Sequence, residues 1–219
     1  MSLIRFDTSD GLSLEGEIRP AEGSPRGTAV LCHPHPRHGG SKDHPILWAI
    51  RNDLAAKRGI TTLAFNFRGI MGSQGTYGGG EEETEDVRAA LARVRRETSG
   101  PTILVGWSFG AWVALRYAVT DPSPAALVLV GYPIGSRATT SKRPMPELGE
   151  LERAIMPVLF VGGDDDPFCP VEEMRHLAGW LPHAECMVMP HTGHFFERRE
   201  RELATGIGEW VGRVLEPQP

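Results

Sequence analysis

A serine hydroxyl flanked by glycines, after an apolar run and before a helical one, is where this chain could do chemistry. Gly106-Trp107-Ser108-Phe109-Gly110 follows Thr102-Ile103-Leu104-Val105 and precedes the helix-like run Ala111 to Ala118. Strand, G-x-S-x-G, helix is the context of a nucleophile presented on a tight turn. The glycines remove the Cβ atoms that would clash in such a turn. The N–H groups that open the helix point where negative charge would develop on an attacked carbonyl. A turn that merely links a strand to a helix can use the same residues. Ser108 therefore needs a base, an acid and an oxyanion site where the fold can bring them together.

The base is expected on a late loop. His194 lies in His191-Thr192-Gly193-His194-Phe195-Phe196, after an expected strand and before the last helix. His191 competes, but His194 has the small residue before it and apolar anchors after it. The acid is expected after an earlier strand, where Gly162-Gly163-Asp164-Asp165-Asp166-Pro167-Phe168 stands. Three consecutive aspartates cannot all face one imidazole, and aspartate is common in turns for its own hydrogen bonds. Asp166 is the first choice and Asp164 the second. The loop after Ala125 to Val130 has no Asp or Glu from Gly131 to Pro146, which removes that source of an acid.

An oxyanion hole needs two N–H groups. One is expected from Phe109, the residue after the serine, and one from the loop His33-Pro34-His35-Pro36-Arg37-His38-Gly39-Gly40. Pro34 and Pro36 carry no N–H, so His35 is the available donor, and the prolines stiffen the loop. The histidines at 33, 35, 38 and 44 also raise a zinc site. Adjacent prolines restrict their convergence, and Asp43 is the only carboxylate nearby, so no metal is expected there. Trp107, Ile134, Phe168 and Phe195 are the expected walls of a substrate pocket.

These residues have to be carried by a strand–helix alternation. Leu3 to Asp7 and Leu12 to Ile18 read as strands joined at Asp10-Gly11, a hairpin signal. Strands are then expected at Gly27–Cys32, Ile60–Phe67, Thr102–Val105, Ala125–Val130, Val158–Val161 and Cys186–Met189. Helices are expected at Pro45–Arg58, Glu81–Glu97, Phe109–Val119, around Val171–Trp180 and at Glu197–Val214. The acidic start of the second of these suits a helix dipole. An antiparallel start followed by strand–helix repeats implies a mostly parallel sheet with helices on both faces, which places ligands at the carboxyl ends of its strands. Every candidate residue follows an expected strand. The long irregular stretch 132–155 reads as a short lid or a loop insertion with a helix around Glu147 to Ala154.

The 219 residues suit one α/β domain, 1–219. A net charge of −5 offers no basic footprint for nucleic acid or acidic lipid. No apolar run is long enough to span a membrane, and the first residues lack the apolar core of a signal peptide. Cys32, Cys169 and Cys186 are too few and too scattered for a disulfide framework, which fits a reducing cytoplasm.

Taken together, L-C-H-P-H-P-R-H-G-G, F-N-F-R-G-I-M-G-S-Q-G, Y-G-G-G-E, V-G-W-S-F-G-A and H-T-G-H-F-F resemble the α/β-hydrolase superfamily. The resemblance is closest to its small, nearly lidless bacterial group related to dienelactone hydrolases and short-chain carboxylesterases. The motifs run from about Gly27 to Phe196, and the order Ser, Asp, His is that of the superfamily. The resemblance implies the α/β-hydrolase fold with minimal or no lid, Ser108 as nucleophile, Asp166 as acid and His194 as base. It also implies a small-molecule ester as substrate and no cofactor. The spacing Gly163 to Asp166 matches the family's acid. Dienelactone hydrolases proper use a cysteine nucleophile, so the serine points away from that activity. Arg68, after another strand, could bind an anionic substrate, but in this family its segment looks structural. The same triad also serves thioesterases, amidases and peptidases, and a non-enzymatic binding module on this fold is the other alternative.

Overall fold

The computed structural model describes residues 1–97, 99–134 and 148–216. The strands are β1 (Ser2–Asp7), β2 (Ser13–Arg19), β3 (Gly27–Cys32), β4 (Ile60–Phe65), β5 (Thr102–Trp107), β6 (Ala126–Val130), β7 (Val158–Gly163) and β8 (Ala184–Met189). They form one sheet in the order β1-β2-β4-β3-β5-β6-β7-β8. β1 pairs antiparallel with β2, and β2 with β4. The remaining pairs are parallel. Helices α1 (Pro45–Lys57) and α6 (Glu200–Val214) cover one face. The other face carries α2 (Glu83–Val94), α3 (Phe109–Thr120) and α5 (Val171–Ala178).

Both faces are buried, so the inner strands are apolar without a break: every residue of β3, β4, β5, β6 and β7 is buried. Alternation reappears as a division between two cores. In β5, Ile103, Val105 and Trp107 point towards α1 and α6, whereas Leu104 points towards α3. The parallel register then brings the carboxyl ends into line. Cys32 pairs with Gly106, Trp107 with Val130, Val130 with Val161, and Gly163 with Met189. The loops that leave those ends share one rim.

Several boundaries differ from expectation for local reasons. β4 stops at Phe65 rather than Phe67, and the Phe67 N–H bonds to the His33 ring instead. α2 starts at Glu83 rather than Glu81, and the Glu83 carboxylate accepts from Gly78 N and Gly80 N, holding the preceding glycine loop closed. The acidic start of α2 is therefore not simply a solvated dipole partner: Glu83 and Asp86 are fully buried. α6 begins at Glu200 rather than Glu197, after a loop in which Phe196 and Arg198 have positive φ. Of the stretch expected as lid or loop, residues 135–147 lie outside the described residues, and α4 (Leu148–Leu151) is a single turn within the expected helix. Among the described residues, no helix is long and apolar enough to cross a membrane.

Candidate active site

The turn after β5 holds Ser108 at φ 54°, ψ −116°, a conformation L-residues rarely adopt. Its cause is steric. A Cβ at Gly106 would collide with the Gly110 carbonyl, and one at Gly110 with the carbonyls of Cys32 and His33. Only with glycine at both positions can α3 start so close to β5 and to the loop after β3. Ser108 N donates to Val130 O at 2.8 Å, which ties the turn to the neighbouring strand. Ser108 is the N-cap residue of α3, yet its side chain makes no capping bond. Its Oγ lies 3.0 Å from His194 Nε2 instead.

His194 is 8% exposed, and its Nδ1 lies 2.7 Å from Asp166 Oδ2. A carboxylate only accepts hydrogen bonds, so Nδ1 carries the proton and Nε2 presents its lone pair to the Ser108 hydroxyl. Asp166 is itself anchored, because its Oδ1 accepts from Phe168 N at 2.8 Å and Cys169 N at 3.1 Å. The other two aspartates do different work. Asp164 Oδ1 accepts from Thr192 N at 3.3 Å, and Asp165 N donates to Thr192 O at 3.0 Å, so both fasten the acid loop to the histidine loop. Both side chains are exposed, whereas Asp166 is 3% exposed. A Cβ at Gly163 would collide with the Thr192 carbonyl, so the two loops meet this closely only with glycine there. His191 is exposed, with φ 51°.

The His33–Gly40 loop closes against the same rim. His35 caps the short turn Pro36–His38 by accepting Arg37 N on its Nδ1. Its ring packs 5.3 Å from Phe109 and 5.3 Å from Tyr77. Of the four histidines raised as a zinc set, His33 and His44 have partners of their own, and His35 and His38 pack on each other. His33 is fully buried and bonded to Pro34 and Phe67, and burial pushes its imidazole down to about 4. His44 caps α1 through Ile46 N and packs 4.3 Å from Trp107. His38 packs 4.6 Å from His35. Among the described residues, no three His, Cys, Asp or Glu side chains converge as metal ligands.

Of the expected pocket walls, Phe168 packs 4.8 Å from the His194 ring, and Phe195, 55% exposed, packs 5.5 Å from it. Ile134 is half-buried, and its N–H donates to Phe168 O at 2.9 Å, which places it beside that ring's backbone. Trp107 is a correction: at 1% exposure it belongs to the core beneath the site, 6.2 Å from the His194 ring, because alternation along β5 turns it towards α1 and α6. Arg68 has the structural placement. It is 2% exposed and pairs with Asp86 through Nε at 3.0 Å and Nη2 at 2.8 Å, with Glu82 and Asp10 on its other nitrogen. Burial pushes the Asp86 carboxyl up to about 6 against the opposing pull of that guanidinium. One residue at the site was missed. Gly131, at φ 53°, would with a Cβ stand 3.1 Å from His194 Cε1 and 3.5 Å from Asp166 Oδ2. Its position at the end of β6, next to the strand of the serine turn, was the available signal.

Known proteins share this fold over nearly the whole length. A lidless α/β serine hydrolase from Xanthomonas campestris is 27% identical, with a TM-score of 0.82, covering 100% of this chain and 96% of its own. An α/β serine hydrolase homologue from Coxiella burnetii is 31% identical, with a TM-score of 0.79, over 97% of this chain and 96% of its own. An uncharacterized protein from Rickettsia prowazekii is 25% identical across 96% of this chain and 89% of its own. The pattern described as the alpha/beta hydrolase domain matches residues 28–211, and the chain belongs to that family.

Proposed function

We propose that the protein is a serine hydrolase that cleaves small carboxylic esters through an acyl-enzyme. The observation that carries this reading is the unbroken chain Ser108 Oγ to His194 Nε2, 3.0 Å, and His194 Nδ1 to Asp166 Oδ2, 2.7 Å. A hydroxyl is a weak nucleophile until a base takes its proton, and the base works only in the right tautomer. Ser108 Oγ attacks the ester carbonyl while its proton passes to His194 Nε2. Asp166 holds the imidazole in place and stabilises the imidazolium. The carbonyl oxygen becomes an oxyanion facing the N–H groups of Phe109 and His35, with the positive end of α3 behind it. His194 then protonates the leaving alcohol, and water, deprotonated by the same nitrogen, releases the acid and restores Ser108.

Phe109 is the first residue of α3, at the positive end of the helix dipole. The His35 and Phe109 rings pack 5.3 Å apart, so the loop after β3 lies against the start of α3, which supports drawing both donors from there. Phe168, Phe195 and Ile134 offer the substrate an apolar edge on the histidine side. Turnover of p-nitrophenyl acetate by the wild type, and its loss in Ser108→Ala by roughly 10³-fold or more with the fold intact, is the expected result. Wild-type rates in that variant would remove Ser108 from the mechanism.

A further inference from the structure

We infer that His33, a residue remote from any proton transfer, aims the second donor of the oxyanion hole; the inference rests on the reading that Ser108 attacks a carbonyl. His33 is completely buried. The Phe67 N–H donates to its Nε2 at 3.0 Å, so Nε2 must be bare. The ring proton therefore sits on Nδ1 and is donated to Pro34 O at 2.7 Å. Both ring nitrogens are committed, and the tautomer follows from the backbone groups alone. The depressed imidazole pKa agrees with a ring that stays neutral.

Pro34 O belongs to the same peptide unit as His35 N. That unit is planar, and with no cis peptide bond in the described chain its C=O and N–H point in opposite directions. Holding the Pro34 carbonyl therefore sets the direction of the His35 N–H. Gly40 also crowds the same carbonyl, because a Cβ there would collide with it. The next peptide unit is held as well: His35 O accepts from His38 N at 3.0 Å and Gly40 N at 3.1 Å. Flanking prolines remove two further degrees of freedom. The His33 ring lies edge-on to Phe67, 4.8 Å away, and Phe67 edge-on to Phe109, 5.6 Å away. Through this chain the loop after β4 and the start of α3 share one reference point with the His35 donor. His33 is a positioning residue: it touches no reacting atom, yet a rotation of the 34–35 peptide would turn a preorganised donor away from the developing charge.

Two substitutions separate aiming from simple packing. In His33→Asn the amide nitrogen stands where Nδ1 stood and still reaches Pro34 O, while the bond to Phe67 N is lost. In His33→Gln the amide oxygen stands near the former Nε2 and keeps Phe67 N, while Pro34 O loses its donor. Each variant gives up one buried hydrogen bond, so their thermal midpoints should fall alike. Their kcat values on p-nitrophenyl acetate should not. His33→Gln should lose roughly 10²-fold at nearly unchanged KM, the order seen when one oxyanion donor is removed, and His33→Asn should recover most of that loss. Equal kcat in the two variants, or losses that track their midpoints, would overturn the inference. Gly40→Ala, whose Cβ would collide with the same carbonyl, gives a second route to a kcat loss should His33→Gln not fold. If the wild type turns over no ester, the hydrolase reading fails by itself. The positioning is then read from the His35 amide resonance, which should move in His33→Gln and stay in His33→Asn; no movement in either would refute it.

Discussion

Gly131→Ala tests whether the space beside the His194–Asp166 pair is as tight as the structure requires. Gly131 has φ 53°, where an alanine is strained by roughly 1–2 kcal/mol. The added Cβ would lie 3.1 Å from His194 Cε1, 3.2 Å from its Nδ1 and 3.5 Å from Asp166 Oδ2. Ordinary contact begins near 3.4 Å, so the ring has to give by about 0.3 Å. It has little room to do so. Phe168 and Phe195 pack on it, and its two nitrogens are engaged at 2.7 and 3.0 Å. If a 1 Å misplacement costs about 10²-fold in rate, 0.3 Å costs about 4-fold. The strain should lower the thermal midpoint by roughly 2–8 °C in a domain of this size. Gly11→Ala is the control: its φ is 87°, but nothing lies within 4 Å of the added Cβ. It should show the strain in a melting experiment with wild-type kcat on p-nitrophenyl acetate. Wild-type kcat in Gly131→Ala as well would refute the claimed contact with the imidazole.

Three more outcomes follow from the same geometry. Asp166→Asn keeps the acceptor for Phe168 N and Cys169 N but turns its NH₂ towards His194 Nδ1, which forces the proton onto Nε2. Ester turnover should fall by roughly 10⁴-fold, about 5.5 kcal/mol, and a loss under tenfold would contradict the assigned tautomer. Because His33 is neutral in the fold down to about 4, whereas an exposed histidine protonates near 6.5, it contributes stability above about pH 6.5 that is lost as pH falls towards 4. That interval corresponds to about 3 kcal/mol. Asp86, raised to about 6, pulls the opposite way in the same range, so the comparison is between wild type and His33→Asn, which share it. Thermal midpoints from pH 7 to 4.5 should fall less steeply in the variant, and parallel curves would refute the buried neutral imidazole. Arg68→Met leaves the fully buried Asp86 without its cation and should cost about 3–5 kcal/mol in urea denaturation, whereas a loss below 1 kcal/mol would show the pair to be solvated.

The sheet was readable because its physics is local. Continuous apolar runs between turn residues are buried parallel strands, and the hairpin at Asp10-Gly11 has a glycine at φ 87°. The serine turn was readable because only glycine fits where α3 presses on β5 and β3. What stayed hidden depends on direction across the fold. Asp164 and Asp166 have the same chemistry and nearly the same sequence position. Only the path of the loop decides that one meets an amide and the other an imidazole. Glu83 and Asp86 read only as acidic residues suited to a helix dipole, because their burial depends on partners distant in sequence or turned inward, Arg68 and the loop glycines. Trp107 looked like a pocket wall from its place beside Ser108. Strand alternation, which continues through Trp107, turns it the other way.

The proposed mechanism makes Ser108 a nucleophile rendered reactive by His194 and Asp166. Treating folded protein with a fluorophosphonate probe and mapping the adduct by mass spectrometry tests it without knowledge of the natural substrate. Stoichiometric modification of Ser108 that is abolished in Ser108→Ala and strongly slowed in His194→Ala is the predicted result. No adduct on the folded wild type, or an adduct on another residue with Ser108 untouched, would contradict it.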